Sequence, residues 1–577
     1  MRAAAFRGCS RSFPENNKRG LWKRGRAAMR KHYERMLKDT ETRARKAVRD
    51  QIREPGSRYG GIMAENGLVQ ARNNIYRASS AIGVYCNPDS GCFRDSDIFR
   101  MIRDGLRFAE SCQHENGLFD LISCNFDSAP DTAFILKRIF PYLFYLERNR
   151  ETQEEEEIYR LLRGMAEKGV KGICGGGFHT PNHRWAIASQ LMQYGEYFGD
   201  DSLKEAAERY LLEGIDCSED GEYSEKSSGN YNRINNDAMI TIGNVTGNKG
   251  YYEYAVRNLR MMLTYIEPDG SIFTANSTRW DNGMVVFPKN YYSEYLEMGI
   301  VMDIPEFLDM ANFIFQMAED KGILSPDQLI VYMNHSEWID VEHEGVWKQG
   351  NFKCLYESSG IARVRKGNYL YTLMAEKPGF LHFTGKGVSV EVKIAGGFFE
   401  HRAFQPDTLK ALPDGNGYLL TQVMHGWYYL PFREKQKTSD WWEMDNKSRE
   451  KLDGPDLNFE VKVLEIEDGI ELQMKVTGVQ GAPFRVEFAV SGADYVQGKE
   501  YQMKAWNGGS MILRSGDGFF GNGEESLRIG PGFAVHRFTA GMAGSQTEIG
   551  NRFMVYCTDL TEFERSVRIR LCEAQMI

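Results

Sequence analysis

The sequence predicts an α-helical domain of stacked helical hairpins, closed into an (α/α) toroid, followed by an antiparallel β-sandwich. From about residue 65 to 335, apolar residues recur at positions i, i+3, i+4 and i+7, which is the period of one helix face. After about residue 340, apolar and polar residues alternate between Gly-containing turns, as in antiparallel strands. We therefore expect a basic N-terminal helical segment at 1–60, a toroid at 61–340 and a β-sandwich at 341–577.

The helical region contains segments that recur in pairs of roughly 50 residues, the signature of stacked helical hairpins. Turns such as GEYFGDDSLKEAAERY and GNVTGNKGYYEYAVRNL resemble one another. An open solenoid and a closed toroid both satisfy this recurrence. The long connections at 114–134 and 267–293 favour the toroid, because its loops build a central cleft.

The first 53 residues are strongly basic, with 17 Lys and Arg against 5 Asp and Glu, in a chain whose net charge is −9. A basic arm attracts nucleic acid or another polyanion. The segment LWKRGRAAMRKHYERMLKDT instead predicts a solvated amphipathic helix, because apolar residues recur near helical spacing at Trp22, Met29, Tyr33, Met36 and Leu37. No aromatic-basic signature of RNA binding follows, so a nucleic-acid partner is not expected.

Other features of the whole chain narrow the class of protein. No run approaches 18 apolar residues, so we expect no membrane-spanning helix and no membrane partner. The ten cysteines form no CxxC pair, and the first residues lack the apolar stretch of a secretory signal. We therefore expect a reducing, cytoplasmic compartment. The oligomeric state is open, with a homo-oligomer among the alternatives.

Two polar segments of the helical region stand out. GGGFHTPNHRWAIASQL at 175–191 places Asn182 and His183 at the start of a helix, where free backbone N–H groups and the helix dipole favour an anionic group. DGEYSEKSSGNYNRINNDAMI at 220–240 places Tyr231 in a loop rich in Ser, Gly and Asn, 49 residues further along. The alternative interpretations are a helix N-cap for Asn182 and a packing role for Tyr231.

These segments resemble the heparinase II/III-like and alginate-lyase-like superfamily of polysaccharide lyases, which combine a helical toroid with a C-terminal β-sandwich. The shared features are an Asn-His pair at a helix start and then a DG, a Glu, a Ser and a Tyr, here Asn182-His183, Asp220-Gly221, Glu225, Ser227 and Tyr231. The resemblance implies that Asn182 neutralises a uronate carboxyl group. It also implies that His183 is a neighbouring contact or base, and that Tyr231 is the acid or acid/base.

The β-domain of this family often adds a His-rich strand motif. Its nearest match here is GFLHFTGKGVSVEV at 379–392, so the resemblance implies a site role for His382. The segment lacks the second His and the Asp of the family motif, and a strand histidine with a satisfied hydrogen bond is the alternative. The lyase chemistry requires no cofactor. A structural divalent metal in the β-domain is the one cofactor that the resemblance leaves open.

Charged, aromatic and amide side chains of the helical region are expected to bind the substrate. They are Arg184, Arg233, Arg279, Trp280, Asn125 and Asp127. Arg279 can grip a carboxylate with two hydrogen bonds, while Trp280 stacks on the face of a pyranose ring. The loop at 112–134 carries the two polar residues Asn125 and Asp127 and is typical of the wall of a sugar subsite.

The leading hypothesis is a lyase that cleaves uronic-acid-containing oligo- or polysaccharides by β-elimination. This reaction needs neutral donors on the uronate carboxylate, a base for the adjacent proton and an acid for the departing glycosidic oxygen. The alternative is a glycoside hydrolase, such as an unsaturated-uronyl hydrolase or a glucuronidase, using carboxylates among Asp220, Asp237, Asp281 and Glu294. A non-catalytic carbohydrate-binding protein is the third possibility. Because a net charge of −9 repels an anionic polymer, the lyase hypothesis requires a local cationic cleft.

Overall fold

The computed structural model describes residues 28–537 and 551–573. Contacts along the chain divide it into two compact units. The first, the helical unit, comprises the residues up to Tyr265 together with Ile272–Gln349, and the second, the β unit, comprises Ile266–Ser271 and the residues from Gly350 onward. None of the described helices is long and apolar enough to cross a membrane.

Twelve α-helices and one short β-hairpin form the regular structure of the helical unit within the described residues. In chain order they are α1 (Ala28–Asp50), α2 (Ala71–Tyr85), α3 (Ser96–Ser111), β1 (Phe119–Leu121), β2 (Asn125–Ser128), α4 (Ala129–Asn149), α5 (Gln153–Cys174), α6 (Pro181–Phe198), α7 (Asp201–Leu211), α8 (Tyr231–Thr246), α9 (Gly250–Thr264), α10 (Tyr292–Val301), α11 (Pro305–Asp320) and α12 (Leu329–Asn334). The helix-period segments of the sequence lie on these helices, as predicted.

The helix starts follow local sequence signals. Asp95, Ser128 and Asp200 each accept hydrogen bonds from backbone N–H groups in the first turn of the helix that follows. Thr152 and Glu155 form a reciprocal capping box at the start of α5. These side chains satisfy N–H groups that a helix start leaves without intrahelical partners, which explains why Asp, Ser and Thr cluster at the breaks between helices.

The helices form two layers that close on themselves. Even-numbered helices pack side by side, α2 on α4, α4 on α6, α6 on α8 and α8 on α10, and each odd-numbered helix pairs with an even-numbered neighbour. At the end of the series α12 packs on α2 and α4, and His32 of α1 stacks on Phe315 of α11 with ring centres 3.9 Å apart. Because the last helices contact the first, the unit is a closed toroid and not an open solenoid.

Helix α1 carries the described part of the basic N-terminal segment. Its buried face includes Met29, Tyr33, Met36 and Leu37, the residues whose spacing predicts the helix. Trp22, which the sequence pattern assigns to the same face, lies outside the described residues. Burial of this stripe explains the helical period, because residues three and four apart share one side of a helix.

The connection between α3 and α4 is more ordered than the irregular loop that the sequence predicts. Its strands β1 and β2 pair antiparallel, with Phe119 opposite Ser128 and Leu121 opposite Asn125. Helix α4 then begins at Ala129, so the last residues of the expected loop are helical. The prediction was wrong here because strands of three and four residues are too short to show a clear alternation.

Eighteen strands in two nine-stranded sheets form the β unit within the described residues. They are β3 (Phe352–Tyr356), β4 (Ile361–Lys366), β5 (Tyr369–Met374), β6 (Leu381–Thr384), β7 (Ser389–Phe398), β8 (His401–Ala403), β9 (Thr408–Ala411), β10 (Gly417–Tyr429), β11 (Lys451–Ile466), β12 (Gly469–Thr477), β13 (Pro483–Ser491), β14 (Tyr495–Gln497), β15 (Gln502–Lys504), β16 (Ser510–Ile512), β17 (Gly518–Gly521), β18 (Glu525–Gly530), β19 (Phe553–Leu560) and β20 (Phe563–Glu573).

One sheet has the strand order β15-β14-β17-β18-β20-β12-β11-β10-β9, and the other β16-β19-β13-β7-β6-β5-β4-β3, with β8 paired to β7. Neighbouring strands are antiparallel except β16 and β19. Along β12, Ile470, Leu472 and Met474 are buried and the residues between them are more exposed. They join one apolar cluster with residues of the other sheet, such as Val390. Because that core lies between two sheets, the β unit is a β-sandwich, as predicted.

Candidate active site

The start of α6 holds the Asn-His pair. The N-cap residue of α6 is Thr180, so the N-cap interpretation of Asn182 was wrong. The fully buried Asn182 side chain donates from Nδ2 to Glu225 Oε1 at 3.0 Å and to Thr180 Oγ1 at 3.1 Å. Its backbone N–H donates to Glu225 Oε2 at 3.2 Å. Glu225 therefore fixes Asn182 in the first turn, while Asn182 Oδ1 is buried with no hydrogen-bond partner among the described residues.

Glu225 connects this helix start to a second segment. Its side chain is almost fully buried, and Arg279 Nε lies 3.3 Å from Glu225 Oε1. Burial raises the pKa of Glu225, while the hydrogen bonds from Asn182 and the charge of Arg279 act in the opposite direction. One buried carboxylate thus holds an amide and a guanidinium that are distant in sequence.

His183 points into a polar and aromatic environment. Its ring meets those of His179 and Phe134 edge-on, with centres 4.9 and 6.1 Å apart. Burial lowers the pKa of His183, the charges of His179 and Arg279 act in the same direction and that of Asp131 in the opposite one, and the resulting pKa is about 4, so the imidazole is neutral at pH 7. Its Nδ1 is buried with no hydrogen-bond partner in the described part of the chain. A neutral imidazole can accept a proton or a hydrogen bond at an unprotonated ring nitrogen.

Tyr231 is the first residue of α8, and not a loop residue as the sequence composition predicts. Its hydroxyl oxygen accepts a hydrogen bond from Trp280 Nε1 at 3.2 Å. The guanidinium carbon of Arg279 lies 5.1 Å from the centre of the Tyr231 ring, and Trp280 is 59% exposed. Through these contacts and Glu225, four predicted site residues form one connected group, which comprises Asn182, Arg279, Tyr231 and Trp280.

Asp281 holds the segment that carries Trp280. It is fully buried and accepts hydrogen bonds from Ser227 Oγ at 2.8 Å, Ser277 Oγ at 2.6 Å and the Gly229 backbone N–H at 3.0 Å. These bonds tie the residues before α8 to those before α10. Both oxygens of Asp281 are engaged and shielded from solvent, which gives Asp281 a role in joining these two segments, and its place among the carboxylates of a hydrolase stays a prediction.

Four positive charges surround Tyr76 of α2, a cluster that the sequence pattern did not reveal. They belong to Arg72, Lys137, Arg138 and Arg233. The protein around Tyr76 raises the pKa of its phenol, but the four charges outweigh this and hold the pKa below its ordinary value. Tyr76 is nevertheless 37% exposed, so an acidic phenol is accessible to solvent in the helical unit. Arg72 and Tyr76 share one face of a helix, which was the only local signal.

Carboxylates accompany these cations. Lys137 Nζ lies 2.5 Å from Asp237 Oδ2, and one terminal nitrogen of Arg233 lies 3.9 Å from Glu294 Oε1. Burial raises the pKa of Glu294 to about 7, with Arg233 lowering it and Asp237 raising it. Glu294 therefore gains or loses its proton near neutral pH, and the net charge beside Arg233 changes with it.

The β1–β2 hairpin is connected to the cations around Tyr76 through Asp131, which lies in the first turn of α4. Asp131 Oδ1 lies 3.4 Å from a terminal nitrogen of Arg72, and its Oδ2 accepts from Asn125 Nδ2 at 3.1 Å. Asp127 has left-handed backbone geometry, with φ 47°, and accepts from Asn116 Nδ2 at 2.8 Å. The hairpin thus joins Asn125 to Arg72 through Asp131 and leaves Asp127 exposed.

Two further predicted site residues have other partners. Arg184 donates to Glu213 and to Asp216 at 2.8 Å each. His382 belongs to the β unit, where it lies on β6 opposite Glu391 of β7. Desolvation lowers the pKa of His382, and the charge of Glu391 opposes this. Residues 28–537 and 551–573 contain no group of three or more His, Cys, Asp or Glu placed to bind a metal ion.

No protein-family model and no curated protein matches the chain. Among solved structures, the Streptomyces coelicolor A3 chondroitin AC lyase in complex with chondroitin sulphate is similar, with a TM-score of 0.53, 11% identity and coverage of 95% of this chain and 83% of that one. A chondroitinase AC lyase known from enzyme–oligosaccharide complexes gives a TM-score of 0.53, 10% identity and coverage of 95% and 84%.

The Paenibacillus xanthan lyase gives a TM-score of 0.56 at 9% identity, and the likeness covers 95% of this chain but only 57% of that larger protein. Identities of this size establish the fold alone. The chain therefore has the fold of these polysaccharide lyases, an α-helical toroid followed by antiparallel β-sheets.

Proposed function

We propose that the protein is a polysaccharide lyase that cleaves uronic-acid-containing glycans by β-elimination in the helical unit. The observation that carries the proposal is a group of three side chains, an amide, a guanidinium and a phenol, connected through buried Glu225. Asn182 and Arg279 both contact Glu225, and Arg279 also faces the ring of Tyr231. Solved lyases of the same fold that are named for chondroitin and xanthan support the reaction class.

Asn182 and Arg279 bind the carboxylate of the uronate. The Asn182 amide donates to the neutral Thr180 hydroxyl at 3.1 Å, and an ionised carboxylate is a stronger acceptor that can replace it. Arg279 contributes a positive charge to the same group. Neutralising the carboxylate stabilises the enolate-like intermediate that forms when the neighbouring C5 proton leaves. Trp280 is exposed beside Tyr231 and stacks on the sugar ring.

His183 and Tyr231 move the two protons. Neutral His183 accepts the proton from C5, and the electron pair of that C–H bond moves into the enolate-like carboxyl group. That pair then forms the C4–C5 double bond as the bond between C4 and the glycosidic oxygen breaks, and the oxygen takes the proton of the Tyr231 hydroxyl. The Trp280 N–H, 3.2 Å from the phenol oxygen, stabilises the resulting phenolate. Exchange with solvent returns the proton from His183 and restores Tyr231.

Ultraviolet absorbance during incubation with chondroitin sulphate, hyaluronan, xanthan and alginate tests this proposal, because elimination creates a conjugated C4–C5 double bond. We expect the absorbance to rise with at least one glycan and the rate to fall by about 10²–10⁴-fold in Tyr231→Phe. Tyr251→Phe, on helix α9, is the matched control and should keep the wild-type rate. An unchanged rate in Tyr231→Phe would contradict the assignment of the acid.

A glycoside hydrolase is the second candidate, because Glu294 keeps a proton up to about neutral pH and lies near the Asp237 carboxyl group. A protonated acid beside a second carboxylate is the arrangement that glycoside hydrolysis uses. This candidate predicts new reducing ends without the absorbance of a double bond. It also predicts that Glu294→Gln abolishes this activity and that Tyr231→Phe retains it.

A further inference from the structure

The β unit carries an exposed aromatic surface on the hairpin formed by β10, β11 and the connecting residues 430–450, here called the aromatic hairpin. Four large rings of this hairpin face solvent, with exposed fractions of 64% for Tyr428, 37% for Tyr429, 46% for Trp441 and 89% for Trp442. Single exposed apolar side chains are normal in proteins, but a cluster of large rings on one element marks an interaction surface.

Cations and neighbouring rings hold this surface in place. The ring centres of Tyr429 and Trp441 are 5.9 Å apart, and the Arg449 guanidinium carbon lies 5.7 and 5.0 Å from them. Lys451 Nζ lies 3.5 Å from the centre of the Trp427 ring. Side chains ordered before binding lose little conformational entropy when a ligand arrives.

The turn between β7 and β8 adds a fifth ring. Phe399 has left-handed backbone geometry, with φ 53°, and its ring centre lies 5.0 Å from that of Tyr428. The Phe399 ring crosses Gly426 and Gly454, where an added Cβ atom would approach it to 2.4 and 3.2 Å. Only glycine admits so close an approach at Gly426, so the backbone is shaped to hold Phe399 against the hairpin.

A polar cavity of about 370 Å³ adjoins the aromatic hairpin. Trp427 Nε1 donates to Glu400 Oε1 at 2.6 Å, and Glu400 lines the cavity together with Lys393, His401 and Arg402. Two permanent positive charges and a histidine thus face one carboxylate. The cavity therefore attracts an anionic group beside the aromatic rings.

We propose that the aromatic hairpin and this cavity form a second glycan-binding site, made of residues other than the catalytic ones, which holds an anionic polysaccharide. Sugar rings stack on Tyr428, Trp441 and Trp442, and an acidic substituent of the sugar lies against Lys393 and Arg402. The acidic class of glycan rests on the proposed function, whereas the binding surface takes no part in the reaction.

The chemistry of the surface favours a glycan over a folded protein. Flat aromatic faces match the C–H faces of pyranose rings, and the polar cavity beside them supplies hydrogen-bonding groups for hydroxyls and acids. Arg449 lies over the Trp441 ring and Lys451 over the Trp427 ring, so charged side chains interrupt the aromatic surface. The rings therefore do not form the continuous apolar core that a stable protein interface requires.

Binding is measured separately from cleavage by affinity electrophoresis of Tyr231→Phe protein in gels with chondroitin sulphate, hyaluronan or xanthan, with dextran as a neutral glycan. We expect at least one anionic polymer to retard the protein and dextran not to do so.

In the Tyr231→Phe protein, the double change Trp441→Ala/Trp442→Ala should weaken binding at least tenfold. Lys393→Gln/Arg402→Gln should weaken it and reduce its dependence on salt. Trp506→Ala, another exposed tryptophan of the β unit, should leave it within twofold.

Equal affinity in the double tryptophan variant and the Trp506→Ala control would overturn the proposal, and so would equal retardation by dextran. Sedimentation of the same variants gives a further outcome. If the tryptophan changes convert a dimer to a monomer, the aromatic hairpin is an interface between copies and the proposal fails. The binding assay uses protein without Tyr231, so it does not depend on cleavage. The measured affinities therefore test this proposal even if the lyase proposal fails.

Discussion

In the β unit, Arg485 and Glu487 are buried, and Arg485 donates from Nε and a terminal nitrogen to Glu487 Oε1 at 2.9 and 2.6 Å. In the helical unit, Asn182, His183 and Glu294 are buried as well. There, Asn182 Oδ1, His183 Nδ1 and Glu294 Oε1 have no hydrogen-bond partner among the described residues. The Arg485–Glu487 pair of the β unit is thus satisfied internally, whereas these three atoms of the helical unit are left open.

This difference predicts a structural role for the Arg485–Glu487 pair and a functional one for the three open atoms. A buried polar atom without a partner costs roughly 1–3 kcal/mol, so a fold keeps several of them only where a ligand or water supplies the missing bond. The paired charges of the β unit need no ligand. We therefore expect changes at the β-unit pair to lower stability, and changes at the open atoms of the helical unit to lower activity.

The largest expected effect is on the stability of the β unit. Glu487→Leu leaves the Arg485 guanidinium buried without its carboxylate and should lower the free energy of unfolding by about 3–5 kcal/mol. Urea unfolding of the whole chain measures this loss. Glu564→Leu, an exposed position on β20, is the control, with an expected change within about 0.5 kcal/mol. Equal losses in the two variants would remove the contrast between the units.

The next effect is on activity in the helical unit. Asn182→Ala should lower kcat/KM by about 10²–10³-fold, because a donor to the developing charge is lost. The free energy of unfolding should also fall, by about 1.5–3 kcal/mol, because the Asn182 amide donates to the buried Glu225 carboxylate. Asn149→Ala, exposed at the end of α4, is the control for the absorbance assay. A stability loss without a loss of activity would place Asn182 with the structural residues.

A smaller effect is expected in the dependence of stability on pH. Glu294 has a pKa of about 7 in the folded protein against an ordinary value of 4.5, so between these pH values the folded state binds more protons. Its stabilising contribution is complete below about pH 4.5 and is lost as the pH rises through about 7, on the order of 3 kcal/mol. In the Glu294→Gln variant, the unfolding temperature should change less between pH 5 and 8 than in the wild type. The Glu65→Gln variant, changed at an exposed position, should keep the pH dependence of the wild type. A parallel change in both variants would contradict the buried acid.

The smallest expected effect concerns the phenol of Tyr76. Four positive charges hold its pKa below the ordinary value, so Tyr76 should ionise before the other tyrosines on alkaline titration. Absorbance of the phenolate measures this ionisation, and Tyr76→Phe should remove the earliest part of the curve. Tyr428→Phe, on the exposed aromatic hairpin, should leave that part intact. An unchanged curve in Tyr76→Phe would mean that the surrounding carboxylates neutralise the cations.

Local patterns predicted the elements of this protein well. The helix period of Met29, Tyr33 and Met36 lies on the buried face of α1, and the strand alternation of Ile470 and Leu472 lies on the core face of β12. Both patterns depend on neighbours in sequence, which is why they can be recognised without a structure. The β1–β2 hairpin escaped recognition because its strands are too short for a period.

Residue types also singled out Asn182 as a candidate at the start of a helix, whereas Tyr231, which was predicted in a loop, is the first residue of α8. Only the tertiary structure decided their partners. It joined Asn182 to Arg279 through Glu225, enclosed Asp281 and placed Arg72, Lys137 and Arg233 around Tyr76. Burial and charge at a side chain depend on groups brought together from distant parts of the chain, and the one-dimensional pattern does not contain those distances.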